Sequence, residues 1–244
     1  MGNIITIFKR EMSAYFATPL AYIFIVIFLA MAASFTFFMG AFLERDQADL
    51  NSFFQFHPWL YIVLIPAISM RLWSEEMQTG TIELLLTLPI TITEAILGKF
   101  LAAWAFIAVA LGLTFPIWIT VNYLGNPDNG AILAGYIGSL LMAGGYLSIG
   151  SFVSGMTKNQ VIAFVISTAT CFVFTASGSQ LVLNFFSSWA PDSMLAFISS
   201  LSFLTHYQDI MKGVVDFRDL VYFASLIILF LYANKLAIRR AKDA

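Results

Sequence analysis

Long apolar runs broken by short polar punctuation set the pattern of this chain, and its first stretch departs from it. In residues 3–17, Ile4, Ile5, Phe8, Met12, Tyr15 and Phe16 recur at helical spacing, with Asn3, Thr6, Lys9, Arg10 and Ser13 mostly opposite. That is an amphipathic helix lying on a membrane surface. Thr18-Pro19 breaks it, and Pro19 suits the first turn of the next helix. Residues 20–43 carry no charge and, at about 1.5 Å per residue, reach across about 30 Å of hydrocarbon. Glu44, Arg45, Asp46 and Asp49 mark its exit. Five further spans are predicted: 51–72, 92–123, 131–155, 160–183 and 219–237. Pro66 lies inside the second, and Pro116 predicts a kink in the third. In the fourth, Ala131, Gly135, Ser139 and Ala143 fall four residues apart, a small-residue face for close helix packing. Residues 184–210 mix apolar patches around Phe185, Phe186 and Trp189 with Pro191-Asp192 and serines. They predict short re-entrant or interfacial helices.

Between the second and third spans the punctuation becomes dense. In WSEEMQTGTIELLLTLPITITE, residues 73–94, Ser74 is placed to N-cap a short helix with Glu75 and Glu76 in its first turn. Gly80 ends that helix. Thr81 caps a second piece over 82–88, which Pro89 stops, and Thr91 with Glu94 forms a capping box that launches the third span.

Composition turns these spans into a class. The chain is 60% hydrophobic and 11% charged, with a mean hydropathy of +0.86, against roughly 45–50% apolar and about 25% charged for soluble domains. The apolar runs are continuous rather than alternating, so the expected fold is an all-α integral membrane protein rather than a barrel. Lys9 and Arg10 precede a run containing Ala30-Met31-Ala32, the outline of a signal peptide, but the run is too long for one and reads as a retained span. If both termini are cytoplasmic, the inside carries Lys9, Arg10, Arg71, Lys99, Lys158, Lys235, Arg239, Arg240 and Lys242. The outside carries Arg45, Lys212 and Arg218. Nine against three satisfies the positive-inside rule and puts residues 73–94 in the cytoplasm. The net charge of −2 gives no reason to expect a nucleic-acid partner.

Catalytic signatures are missing. No GxxxxGK[ST], HExxH or GxSxG occurs, and the single cysteine, Cys171, excludes an intrachain disulfide. His57 and His206 read as interfacial and packing residues rather than a metal pair. Asp216, Arg218 and Asp219 read as a helix start with local salt bridges. The span interiors lack ionisable groups, which argues against an ion-coupled secondary transporter. The expectation is a non-enzymatic membrane subunit that binds no cofactor or metal itself.

Two motifs carry a resemblance. The run SEEMQTGTIELLLTLPIT followed by Gly98-Lys99-Phe100 resembles the cytoplasmic loop of ABC-2 type permeases, in particular the gliding-motility-associated family and its relatives from nitrous-oxide-reductase maturation operons. His206-Tyr207 with KGVVDFRDLVYF, residues 212–223, resembles that family's lead into its last span. The resemblance implies six transmembrane helices, an N-terminal interfacial elbow helix over 3–17 and a cytoplasmic coupling helix over 74–89. Outer re-entrant helices would precede the last span. It implies ATPase-coupling residues Glu75, Glu76, Met77, Gln78, Gly80, Thr81, Glu83, Leu84 and Leu85, and elbow residues Phe8, Lys9, Arg10 and Met12. An outer segment would contain His206, Gly213, Asp216, Arg218 and Asp219. The implied partners are an ATP-binding subunit carrying ATP and Mg, a second permease copy, more readily identical than not, and the lipid bilayer of a bacterial cytoplasmic membrane. An extracytoplasmic auxiliary protein fits an alternative in which the chain transmits force instead of exporting cargo.

Overall fold

The computed structural model describes residues 2–45, 47–87, 89–187 and 190–243, without the side chains of 84–86 and 241–243. Asp46, Leu88 and Trp189, used above as an exit marker, a helix end and part of an apolar patch, lie outside the described residues. Among those described, every regular element is helical. The order is α1 (Gly2–Ala17), α2 (Pro19–Ser34) with a π-helical turn (Phe35–Met39), α3 (Asn51–Phe54), α4 (His57–Ser69), α5 (Arg71–Thr79), α6 (Thr81–Thr87) and α7 (Ile92–Gly112). Then come α8 (Phe115–Leu124), α9 (Asn129–Ser154), α10 (Gln160–Ala176), α11 (Gln180–Ser187), α12 (Asp192–Ser200), α13 (Phe203–Met211) and α14 (Phe217–Asp243).

Among the described residues, five stretches are long and apolar enough to cross a membrane: Pro19–Met39, Asn51–Thr79, Ile92–Leu124, Asn129–Ser154 and Phe217–Arg240. The fifth apolar segment of the sequence behaves differently. It is helical only to Ala176 and turns by 71° into α11, so it makes a sixth span only if the bent pair is counted as one. Ser177, Gly178 and Ser179 supply the break, and Gly178 fits closely over Ser202 and Thr205. The first span likewise stops short of residue 43, because the helix widens at Phe35–Met39 and closes at Gly40. Pro116 sits in the first turn of α8, where its missing N–H costs nothing, and the third span breaks just before it at Leu113-Thr114.

The α9 helix is the hub, packed by α4, α7, α10, α13 and α14. Its small residues explain why. Gly135 seats the ring of Phe54, Ser139 Oγ lies 2.8 Å from His57 Nδ1 and 2.7 Å from the Tyr61 hydroxyl, and Ala143 is fully buried. The small-residue face is therefore occupied by helices of the same chain. The closest approach is at Gly150, where a Cβ would overlap Ser69 Oγ and lie 2.6 Å from Ser69 Cβ. Gly150→Ala is expected to destabilise the fold by about 1–3 kcal/mol through overpacking. Gly112→Ala, where nothing lies within 4 Å of the new carbon, is expected to be neutral or slightly stabilising. Thermal unfolding in detergent, followed by a maleimide dye on the buried Cys171, separates the two outcomes.

Candidate functional site

The α5 helix continues the second span rather than starting anew. Met70 keeps right-handed helical backbone angles (φ −56°, ψ −28°), so the chain passes from α4 into α5 without a new N-terminus. Ser74 is consequently not an N-cap. It is fully buried in the body of α5, its hydroxyl donating to the Met70 carbonyl, and Glu75 and Glu76 fall beyond the first turn. Gly80 ends the helix at φ +73°, a left-handed conformation suited to glycine. Thr81 is the first residue of α6 rather than its cap, and its hydroxyl lies 2.9 Å from that of Thr79. Thr91 and Glu94 form the reciprocal capping box at the start of α7.

The implied ATPase-coupling set splits into two groups. Glu75, Gln78, Gly80, Thr81 and Glu83 are exposed, whereas Met77 is 8% exposed and, like the neighbouring Ile82 at 9%, belongs to this chain's own core. They are not free apolar anchors for a partner. Leu84 and Leu85 lie within α6, and their side chains fall outside the described residues.

Where α4 runs into α5, side chains from other helices occupy the backbone groups. Ser154 Oγ of α9 accepts from the Trp73 and Ser74 amides, 3.1 Å each, and donates to the Met70 carbonyl at 2.8 Å. Ser151 Oγ accepts from Trp73 Nε1 at 3.3 Å and from Asn234 Nδ2 of α14 at 2.8 Å. Lys99 of α7 donates to the Leu72 carbonyl at 3.0 Å. Its Nζ is 2.8 Å from Glu76 Oε1, 3.6 Å from Glu11 Oε1 and 5.1 Å from the centre of a Trp73 ring. Arg10 joins from outside, 2.5 Å from Glu11 and 4.0 Å from Glu76. The Lys99 side chain is 5% exposed, so its ammonium depends on these partners. The cluster borders a cleft of about 360 Å³ lined by Glu11, Tyr15, Arg71, Glu75, Glu76 and Lys99, among others.

The sequence pattern did not mark Glu11, and it marked Lys99 only as one of the cytoplasmic-side cations and as part of Gly98-Lys99-Phe100. The α1 helix buries its stripe against α7, with Ile7 at its centre, packed where Gly98 leaves no room for a Cβ. Ile5 is 54% exposed and faces away. Phe8, Met12, Tyr15 and Phe16 are half-buried, while Lys9 and Arg10 are exposed. Tyr15 stacks on Phe106 with ring centres 5.1 Å apart. Burial, then the nearby Glu11 charge, pushes the Tyr15 phenol above its ordinary range. The available signal for Glu11 was its spacing: a carboxylate four residues after Ile7 and four before Tyr15, inside an apolar stripe.

Elsewhere in the bundle, His206 Nδ1 is 2.6 Å from Asp219 Oδ1 and Nε2 is 3.0 Å from the Ser200 carbonyl, with the ring stacked on Tyr222. Asp219 therefore pairs with His206. Asp216 accepts from the Arg218 amide at 3.0 Å, and among the described residues Arg218 forms no salt bridge with either aspartate. Gly213, at φ +87°, packs on Ala131.

The helices and the polar joint define a polytopic membrane protein with carboxylates, Glu75 and Glu83, exposed around the end of its second span. The chain matches the sequence model of the ABC-2 family transporter protein over residues 5–234 and belongs to that family. It is thus a multi-pass permease subunit of an ABC transporter, of a kind generally non-catalytic, and membership implies an ABC ATP-binding partner. No curated protein gives a significant match.

Removing one member of the Lys99 cluster tests its weight. Lys99→Met leaves the half-buried Glu76 with only the 4.0 Å contact to Arg10 and is expected to cost roughly 3–5 kcal/mol. Glu76→Gln costs less, because Glu11 and the Leu72 carbonyl remain. The double variant Lys99→Met/Glu76→Met is expected to recover part of the loss in the same thermal assay.

Proposed function

We propose that the chain is the membrane subunit of a bacterial ABC-2 exporter, working as a dimer in the cytoplasmic membrane. In this reading α5 and α6 form the coupling element that a separate ATP-binding subunit grips, and α1 is the elbow helix. ATP and Mg are bound by the partner. Both termini and the coupling turn face the cytoplasm, a placement supported by the excess of Lys and Arg assigned to that side. The segment α11 to α13 takes the place of the outer re-entrant helices, with His206, Gly213, Asp216, Arg218 and Asp219 in its outer approach to the last span.

The observation that carries the reading is the joint at Trp73. The exposed carboxylates Glu75 and Glu83 offer charge to basic groups on a partner. Behind them, Glu76, Trp73 and Ser74 are tied to α7 through Lys99, which also holds Glu11 of α1, and to α9 through Ser154. A push on the turn is therefore delivered to three elements at once. Closure of the ATP-binding subunits would rock the second and third spans against the dimer mate and open a route outward.

The test uses the permease reconstituted with its cognate ATP-binding subunit. Glu75→Arg/Glu83→Arg reverses the exposed charge without touching the buried joint. It is expected to weaken docking by about tenfold or more and to abolish permease-stimulated ATP hydrolysis, leaving the thermal midpoint of the permease unchanged. Unaltered stimulation in this variant would sink the assignment. ATP-dependent uptake of cargo into inverted vesicles checks the direction, and stimulated hydrolysis without any cargo movement would instead indicate force transmission.

A further inference from the structure

A second cavity lies where three predicted spans end. Its lining includes Met77 near the end of α5, Gly155 and Met156 just after α9, and Arg240 on the last turns of α14. It measures about 530 Å³, within the range of small-molecule sites. Phe152, Met156 and Leu236 form apolar walls, and Ala233 and Ala237, one turn apart on α14, leave room between them. Two cations, Lys158 and Arg240, join this lining and no carboxylate does. Both are exposed, and among the described residues neither enters an ion pair. The cleft beside Lys99 is the reverse, with Glu11, Glu75 and Glu76 in its wall.

We propose that this groove binds an anionic phospholipid. The phosphate would sit between Lys158 and Arg240, and an acyl chain would run along Phe152, Ala233 and Ala237. The argument is charge complementarity at one depth. Three spans terminate at the groove, so its basic end lies at headgroup level and its apolar walls at the level of the chains. A basic pocket between membrane helices selects anionic headgroups over zwitterionic ones. Met77, a wall of the groove, stands one residue from Glu76 of the Lys99 cluster, so an occupied groove braces the same helix that bears the acidic turn. The proposal needs the chain's membrane class alone and survives if the coupling assignment fails.

The experiment is thermal unfolding of the purified full chain in neutral detergent, with dioleoylphosphatidylglycerol or dioleoylphosphatidylcholine added. The anionic lipid is expected to raise the midpoint by about 5 °C above the zwitterionic one. Lys158→Gln/Arg240→Gln should erase that difference while keeping the wild-type midpoint in phosphatidylcholine, since both side chains are exposed. Ala237→Trp, which keeps both charges and fills the groove, should erase it too. Lys212→Gln, outside the groove, should retain it. Equal shifts with both lipids, or a difference that persists in the double variant, overturns the proposal. So does an equal shift from glycerol phosphate, which would make this a free-phosphate site. A change of oligomeric mass in the double variant with phosphatidylglycerol still bound in native mass spectrometry would assign the groove to a second copy of the chain.

Discussion

An ammonium withdrawn from water needs compensation on every side, and in this protein Lys99 obtains it from elements far apart in sequence. The carboxylate of Glu76 comes from α5, that of Glu11 from α1 and the Leu72 carbonyl from the start of α5. Losing any of these leaves charge in a place where it is costly. The cluster therefore fixes how the surface helix, the second span and the third span sit together. Hydrophobic packing alone would not do so, because lipid chains compete equally well for an apolar face. Ile7 seated over Gly98 and Tyr15 stacked on Phe106 then add close contact along a register that the charges specify.

The interior shows the same logic without formal charge. Tyr146 lies 2.5 Å from Thr175 Oγ1, Ser202 donates to the Thr175 carbonyl at 3.0 Å, and the Tyr207 hydroxyl donates to the Phe54 carbonyl at 3.2 Å. Each bond joins two helices at a defined height, and such bonds within membranes are individually worth about 0.6–2 kcal/mol. Together they turn a bundle of interchangeable apolar surfaces into one arrangement, with the narrow α9 helix at its centre.

The sequence was most legible where signals are local. Pro19, the Thr91–Glu94 capping box and Gly80 act through their own backbone, and the helices begin or end beside them. It was least legible where a distant helix decides. Ser74 looks like a cap because serine before two glutamates usually is one, yet continuity with α4 and the Ser154 hydroxyl keep it inside a helix. Met77, in the implied coupling set, looks like a residue free for a partner until α5 is seen to turn it inward. Asp219 beside Arg218 suggests a local salt bridge, but His206, thirteen residues earlier, takes the carboxylate. Glu11 was hidden for a related reason: its partner lies in another span, and no periodicity in one helix reveals a charge in the next.

The 71° bend after Ala176 bears on the surrounding lipid as well as on the fold. The straight part of that segment, α10, has 17 residues, which rise about 25 Å, several ångström less than the hydrocarbon thickness of an average bilayer. Its neighbour α14 continues for 27 residues. The protein thus presents a short wall and a long wall to the same membrane, a mismatch met by thinning of the bilayer or by flanking residues reaching to the interface beside α10, and by tilt of α14. Hydrophobic mismatch of this kind makes the energy of the resting state depend on acyl-chain length, so the thickness of the host membrane becomes a physical variable of the transporter in its own right.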